Sequence, residues 1–328
     1  MPPTDIETAN AREASLAAAR DAPHRFAVDR EKVRFPSGDT TCAAWHYPGI
    51  TGACVVMAGG GAVTKEPGTD RFARLFHEAG FTVLAFDYRR LGESGGQPRQ
   101  IVRMGEQHAD WQAAIHFART LPDVDATRVA IWGFSLSGGH IFPVAARNPG
   151  LAAAIAQTPL VDGPAAAPGA MRHTTQRAFL RLTGRGLLDA VGGLFGREPL
   201  LVPLAGRPGT VAMLTTPDAL NGDRALNPHN RYPDWQQEIA ARSALRIGFY
   251  RPARSASRVG CPLLVLAYDQ DDVAPAGDAT RAGKRAPRGE VVRLRGGHYE
   301  PFLGGHERAA DTQLSFLRRH LLERPQPR

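Results

Sequence analysis

Ser135 stands in the run Gly133-Phe134-Ser135-Leu136-Ser137-Gly138, which directly follows the apolar stretch TRVAIWGF and opens the helix-like stretch LSGGHIFPVAARN. A serine on a sharp strand-to-helix turn is forced into a strained backbone conformation. Small residues two before and two after it relieve the crowding. Gly133 fills the first of these positions. Ser137 takes the second, where glycine is usual, and Gly138 follows. Such a turn would project the hydroxyl from one edge of a sheet, above the first turn of a helix. A serine hydroxyl is a weak nucleophile near neutral pH. It needs an adjacent base, and the base needs an orienting carboxylate. Read alone, the six residues also fit a plain Gly/Ser turn without chemistry, so the partners must be found elsewhere.

Both partner types occur downstream. The stretch LLVLAYDQDDVAP reads as a strand followed by a loop holding Asp269, Asp271 and Asp272. The stretch RLRGGHYEPF reads as a strand followed by a Gly-Gly pair and His298. Each lies at the C-terminal end of its strand, the edge at which open α/β sheets bind ligands. Of the eleven histidines, His298 alone follows a late strand immediately. His108 and His116 share a predicted helix, His320 lies on the last one, and His140 should pack beneath the serine turn. Acyl chemistry at Ser135 would also need two N–H donors for the developing oxyanion, each worth on the order of 3 kcal/mol of barrier. Leu136, just past the serine, offers one. The glycines after VVMA offer the other, Gly61 first and Gly60 next. That loop, GGGAVTKEPG, lacks the spacing of a phosphate-binding loop, and Lys65 within it is expected at the surface. No His, Cys or carboxylate spacing suits a metal, and no cofactor is implied.

These residues need a scaffold, and the chain alternates the right elements. Two short strands, EKVRFP and TTCAAWHYP, are split by the turn SGD. Four apolar runs follow: ACVVMA, FTVLAF, TRVAIWGF and LAAAIAQ. Helical patterns lie between them, one carrying Phe72, Leu75 and Phe76 on a single face and stopping at Gly80. Apolar strands without polar alternation are buried on both faces, so the expected fold is α/β, a mostly parallel, doubly wound sheet. From about residue 164 to 255 the alternation breaks into Gly/Pro joints and apolar helical pieces, then resumes. The expected organisation is a helical N-terminal arm over 1–25, with a helix at 5–20. A core follows over 26–163 and 256–328, with an inserted, mainly helical cap over 164–255.

Composition excludes other classes. The chain has 328 residues, 43% hydrophobic and 22% charged, with a formal net charge of +8. The arginines are scattered and no nucleic-acid-binding motif appears, so the charge reads as a solvated surface and no nucleic acid is expected. Three cysteines, Cys42, Cys54 and Cys261, fit neither a disulfide framework nor a zinc site, which suggests a reducing compartment. The first residues show no apolar signal core and no run is long enough to span a membrane. A cytoplasmic location without membrane contact is the expectation.

Together the segments VVMAGGGAVTK, GFTVLAFDYRRLGESGG, AIWGFSLSGG, LLVLAYDQDDVAP and GGHYEPF resemble those of the α/β-hydrolases over most of the chain outside the inserted block. FDYRRLGESGG resembles the D-x-R-G-x-G-x-S loop of bacterial esterases, in which Asp87 and Arg89 would be structural. The resemblance implies a serine hydrolase with Ser135 as nucleophile, His298 as base and Asp271 as acid, since Asp271, Val273 and Pro275 match the family's D-x-V-x-P loop. Asp272, Asp269 and Asp162 are the fallbacks. The usual His-Gly pair before the oxyanion residue reads Gly59-Gly60 here. The implied partner is a small, uncharged, moderately hydrophobic acyl compound, an ester, lactone or thioester. The same residues could serve amide cleavage, carbon–carbon hydrolysis or acyl transfer, and a non-catalytic binding protein is the remaining alternative. Phe179, Leu180, Leu187, Leu188, Val191, Leu194, Phe195, Leu200 and Leu201 would fold over the sheet edge and exclude water. A homodimer through the cap is compatible with these side chains.

Overall fold

The structure is a computed structural model that describes residues 29–323. The expected N-terminal arm over 1–25, with its helix, lies outside the described residues. Eight strands form one sheet in the order β1-β2-β4-β3-β5-β6-β9-β10. The hairpin of β1 (Glu31–Ser37) and β2 (Thr40–Tyr47) is antiparallel and joins β4 antiparallel. The remaining strands run parallel: β3 (Cys54–Ala58), β4 (Thr82–Phe86), β5 (Val129–Phe134), β6 (Ala153–Gln157), β9 (Leu263–Tyr268) and β10 (Gly289–Leu294).

Every residue of β3, β4, β5, β6 and β9 is buried. Successive side chains point to opposite faces of a strand, so one apolar run feeds two cores. Val55, Met57, Val83 and Trp132 face α1 (Lys65–Glu78) and the last helix, α9 (His306–Leu317). Val56, Leu84, Phe86 and Ile131 face α2 (Met104–Ala118), α3 (Leu136–Arg147) and α8 (Ala276–Arg285). Because the six strands are parallel, the loops after β3, β4, β5, β9 and β10 all emerge at one edge.

Between β6 and β9 lies the inserted block. It holds α4 (Gly163–Met171), α5 (Gln176–Leu194), α6 (Gly222–Leu226) and α7 (Ala241–Gly248). It also holds a strand pair absent from the helical expectation: β7 (Leu201–Pro203) pairs antiparallel with β8 (Glu238–Ala240). Within the block, the stretch DWQQEIAARSALRIGFY holds both β8 and α7. Three-residue strands carry too little periodicity to be seen, and a partner 35 or more positions away in sequence decides the outcome. Helix α5 packs on α7 at Gly186, where a Cβ would lie 3.1 Å from the Ala241 carbonyl. Its buried Asp189 accepts the N–H groups of Leu200 and Arg242, each at 2.8 Å, and faces the Arg242 guanidinium at 2.9 Å. Asp189 thereby locks the helix to the strand pair.

Lys65 departs from expectation. It opens α1 and is only 1% exposed. Its Nζ lies 3.0 Å from Asp87 Oδ2 and 2.6 Å from Glu93 Oε2, while its own N–H donates to Asp87 Oδ1 at 2.7 Å. Asp87, just past β4, is completely buried and needs a cation beside it. The glycine loop folds α1 back so that Lys65 supplies it, which no local pattern reveals. Burial would raise the Glu93 carboxyl, but the ammonium groups of Lys32 and Lys65 outweigh it and hold it down at about 2. Arg89 is tied in the same manner: its N–H and Nε donate to Asp110 at 3.0 and 2.7 Å. Removing one partner of a buried ion pair strands the other charge. Lys65→Met should therefore cost about 3–5 kcal/mol in urea unfolding. Lys65→Met with Asp87→Asn should recover part of that loss.

Candidate active site

Strand β5 ends at Phe134 and the chain turns at once into α3. Ser135, between them, has φ 57° and ψ −116°, a region that side chains avoid. The turn is possible because a Cβ at position 133 would sit 2.4 Å from the Ser137 carbonyl oxygen, which only glycine accommodates. Backbone bonds fix it: the Ser135 N–H donates to Gln157 on β6 at 3.0 Å, and the Ser135 carbonyl accepts from Gly139 and Leu160, both at 3.0 Å.

The structure brings Ser135, His298 and Asp271 into one hydrogen-bonded chain. His298 Nε2 lies 2.9 Å from Ser135 Oγ, and His298 Nδ1 lies 2.8 Å from Asp271 Oδ2. The other oxygen of Asp271 accepts the N–H groups of Val273 and Ala274 at 3.0 and 2.7 Å. Burial pushes the Asp271 carboxyl up from its ordinary range, and the imidazole and the Ala274 amide pull against that rise. The imidazole is buried and packs on Phe134 and Tyr299, with centroids 5.2 and 5.0 Å apart. An imidazole so held can take a proton from the hydroxyl while the carboxylate stabilises the resulting cation. None of the fallback carboxylates meets the imidazole. Asp269 binds Arg293 at 2.8 Å, Asp162 caps α4 through Ala165, and the Asp272 side chain is exposed.

Gly60, Gly61, Ser135 and Leu136 line one small cavity, of about 80 Å³, at this edge. Among the described residues, the amides of Gly60, Gly61 and Leu136 bond to no other backbone carbonyl, leaving them free to donate into it. The α3 N-terminus beneath them adds a positive pole. The cavity wall is apolar but is not built as expected. Leu204, Met213, Leu226, Trp235, Ile239 and Ile247 of the inserted block face it, whereas Phe179, Leu180, Leu187, Leu188, Val191, Leu194, Phe195 and Leu200 point to solvent. Helix α5 turns its other face, at Ala178, Gly186 and Asp189, inward, because these positions pack on α7.

Two positioning roles depend on partners distant in sequence. The first is Ser137. It is buried, and its hydroxyl donates to the Gly59 carbonyl. With that proton committed, Tyr88 donates to Ser137 Oγ at 2.5 Å and Trp111 Nε1 donates to Tyr88 at 2.7 Å. The residue that replaces glycine in the serine turn thus ties that turn to the loop carrying Gly60 and Gly61. The second is Asp218, from the 3₁₀ turn Pro217–Asn221 of the inserted block. Its Oδ2 accepts the N–H groups of His298 and Asp272, each at 3.2 Å, and so joins the loops after β9 and β10. Trp235 completes the seam by donating to the Ala62 carbonyl at 3.1 Å. His140 on α3 and His108 on α2 lie 3.2 Å apart, both bonded to Tyr250. Burial lowers both, His108 to about 4, which keeps them neutral.

This fold and site define a class, and comparison with known proteins agrees. Residues 54–312 match the model of the alpha/beta hydrolase family, and the chain belongs to that family. The quorum-quenching protein AidA of Acinetobacter baumannii is 38% identical over 292 residues, 88% of this chain and 94% of its own. A thiohydrolase of Eupenicillium brefeldianum is 24% identical over 305 residues, 90% of this chain and 96% of its own. The crystal structure of the alpha/beta hydrolase GrgF from Penicillium superposes with a TM-score of 0.74 at 23% identity, covering 90% of this chain and 99% of that one. Among the described residues no helix is long and apolar enough to cross a membrane.

Ser137→Ala should lower kcat about tenfold at little change in KM, the loss of a buried hydrogen bond worth roughly 1–2 kcal/mol. Asp218→Ala should do the same by loosening His298, and Asp218→Asn, which retains an acceptor oxygen, should be milder. Steady-state kinetics on a p-nitrophenyl ester measures all three.

Proposed function

We propose that this protein is a serine hydrolase of carboxylic ester-type bonds, and that Ser135, His298 and Asp271 are its catalytic residues. The observation that carries the reading is the unbroken chain from Ser135 Oγ through the imidazole to Asp271 Oδ2, at 2.9 and 2.8 Å, beside an apolar cavity. Ser135 Oγ attacks the substrate carbonyl carbon while His298 Nε2 takes its proton. The carbonyl oxygen becomes an oxyanion, held by the N–H groups of Leu136 and Gly61. The tetrahedral intermediate collapses, the bond to the leaving oxygen or sulfur breaks, and Nε2 returns the proton to it. Water then attacks the acyl-serine with His298 as base. The carboxylic acid leaves and Ser135 regains its proton.

The apolar wall favours an uncharged acyl group. At about 80 Å³ the cavity lies below the roughly 300 Å³ from which small-molecule sites usually start, so it takes a short acyl group as it stands and a longer one once the cap shifts. Relatives named thiohydrolase support counting thioesters among the bonds cleaved. Relatives named polyketide transferase favour a second reading, in which the acyl group passes from Ser135 to an acceptor other than water.

A fluorophosphonate probe should label the wild type and not Ser135→Ala. Ser135→Ala and His298→Ala should each lose at least about 10³-fold in kcat on p-nitrophenyl butyrate. Wild type unlabelled and inactive on esters, lactones and thioesters alike would overturn the reading. Turnover that requires an added alcohol or amine acceptor would favour the second.

A further inference from the structure

Helix α5 is apolar on two sides. Ala178, Leu182, Gly186, Asp189 and Gly193 lie on the side packed toward α7 and the core. Leu180, Gly184, Leu187, Val191 and Leu194 recur at spacings of four and three on the opposite side. That alternation is the seam of a helix paired with another helix. An apolar helix face is normally buried against a neighbour. Yet among the described residues nothing covers this seam: Leu180 and Leu188 are 68% exposed, Leu194 84% and Phe195 77%. Together the seam and its flanks leave on the order of 800 Å² of apolar surface in solvent, above the ~300–600 Å² of an ordinary monomer's largest patch and equal to one partner's share of a standard interface.

We propose that the seam of α5 is the two-fold interface of a homodimer, with the two α5 helices packed antiparallel about Leu187. Three features specify a second copy. The surface is self-complementary: a notch at the N-terminal end of α5, lined by Met171, Thr174 and Phe179, lies at the opposite end of the helix from the protruding Phe195. An antiparallel pairing seats Phe195 of the partner subunit in that notch, twice, as two-fold symmetry requires. Gly184 has open space where a side chain would stand, so the partner helix can approach closely. The charges set the direction. Arg177, Arg181 and Arg185 are exposed in the first ten residues of the helix. A parallel pair would oppose them to their own copies, whereas an antiparallel pair turns them toward the negative C-terminal pole of the other α5.

Sedimentation velocity of the full chain from 0.5 to about 50 μM tests the proposal, since interfaces of standard size assemble at micromolar concentrations or below. The wild type should sediment as a dimer. Leu187→Glu and Phe195→Glu should each raise the dissociation constant at least about 100-fold while retaining the wild-type circular dichroism and ester turnover, since neither side chain touches the cavity. A wild type monomeric at 50 μM overturns the proposal, as does a dimer that survives both substitutions. Flotation with vesicles of phosphatidylglycerol and phosphatidylcholine covers the other occupant. A monomer that binds them and loses binding on Leu187→Glu assigns the seam to a lipid surface instead.

Discussion

The backbone at Ser135 is the constraint on which the site depends. A left-handed, non-glycine residue costs on the order of 1–2 kcal/mol, and it persists because the sheet over-determines it. The neighbouring strand accepts the Ser135 N–H, two downstream amides hold its carbonyl, and Gly133 leaves room for the returning chain. The same turn lifts the hydroxyl out of the sheet edge and places it at the positive end of α3. Relaxing the turn to an ordinary helical start would lay the hydroxyl along the helix, out of reach of the imidazole.

Around this turn the molecule buries several carboxylates, and each is compensated within its own loop cluster. Asp87 has Lys65, Asp110 has Arg89, Asp189 has Arg242, and Asp271 has His298 with two amides. The first two brace the loops after β3 and β4, and the third braces the inserted block. Asp271 differs in kind. Its partner is an imidazole rather than a permanent cation, held at 2.8 Å in a buried setting where little water screens the pair.

The inserted block closes the edge by reaching into the core rather than by resting on it. Asp218 bonds two of the core's loops, Trp235 bonds the loop past Gly61, and Gln100 of the core exchanges bonds with the backbone of β8, at 2.6 and 2.8 Å. The apolar side chains that wall the cavity lie on elements of this block other than α5, whose seam faces solvent.

The sequence alone determined what is local. Unbroken apolar runs specify strands buried on both faces, Gly133 and Ser137 around Ser135 specify the sharp turn, and a Gly-Gly-His after the last strand marks His298. These signals survive because each is a steric or periodic requirement met within a few residues. Tertiary structure decided what depends on direction and on distant partners. Asp269, Asp271 and Asp272 lie within four residues of one another and look alike in sequence, yet each step along the loop turns the side chain elsewhere, and only Asp271 meets the imidazole. Lys65 went inside because Asp87, 22 positions away, was buried without a cation. Asp218 joined the site from 80 positions away. The apolar residues of α5 turned outward because the helix had a second face that fitted α7 better. Periodicity shows that a face is apolar, but which neighbour it meets is set by packing in three dimensions.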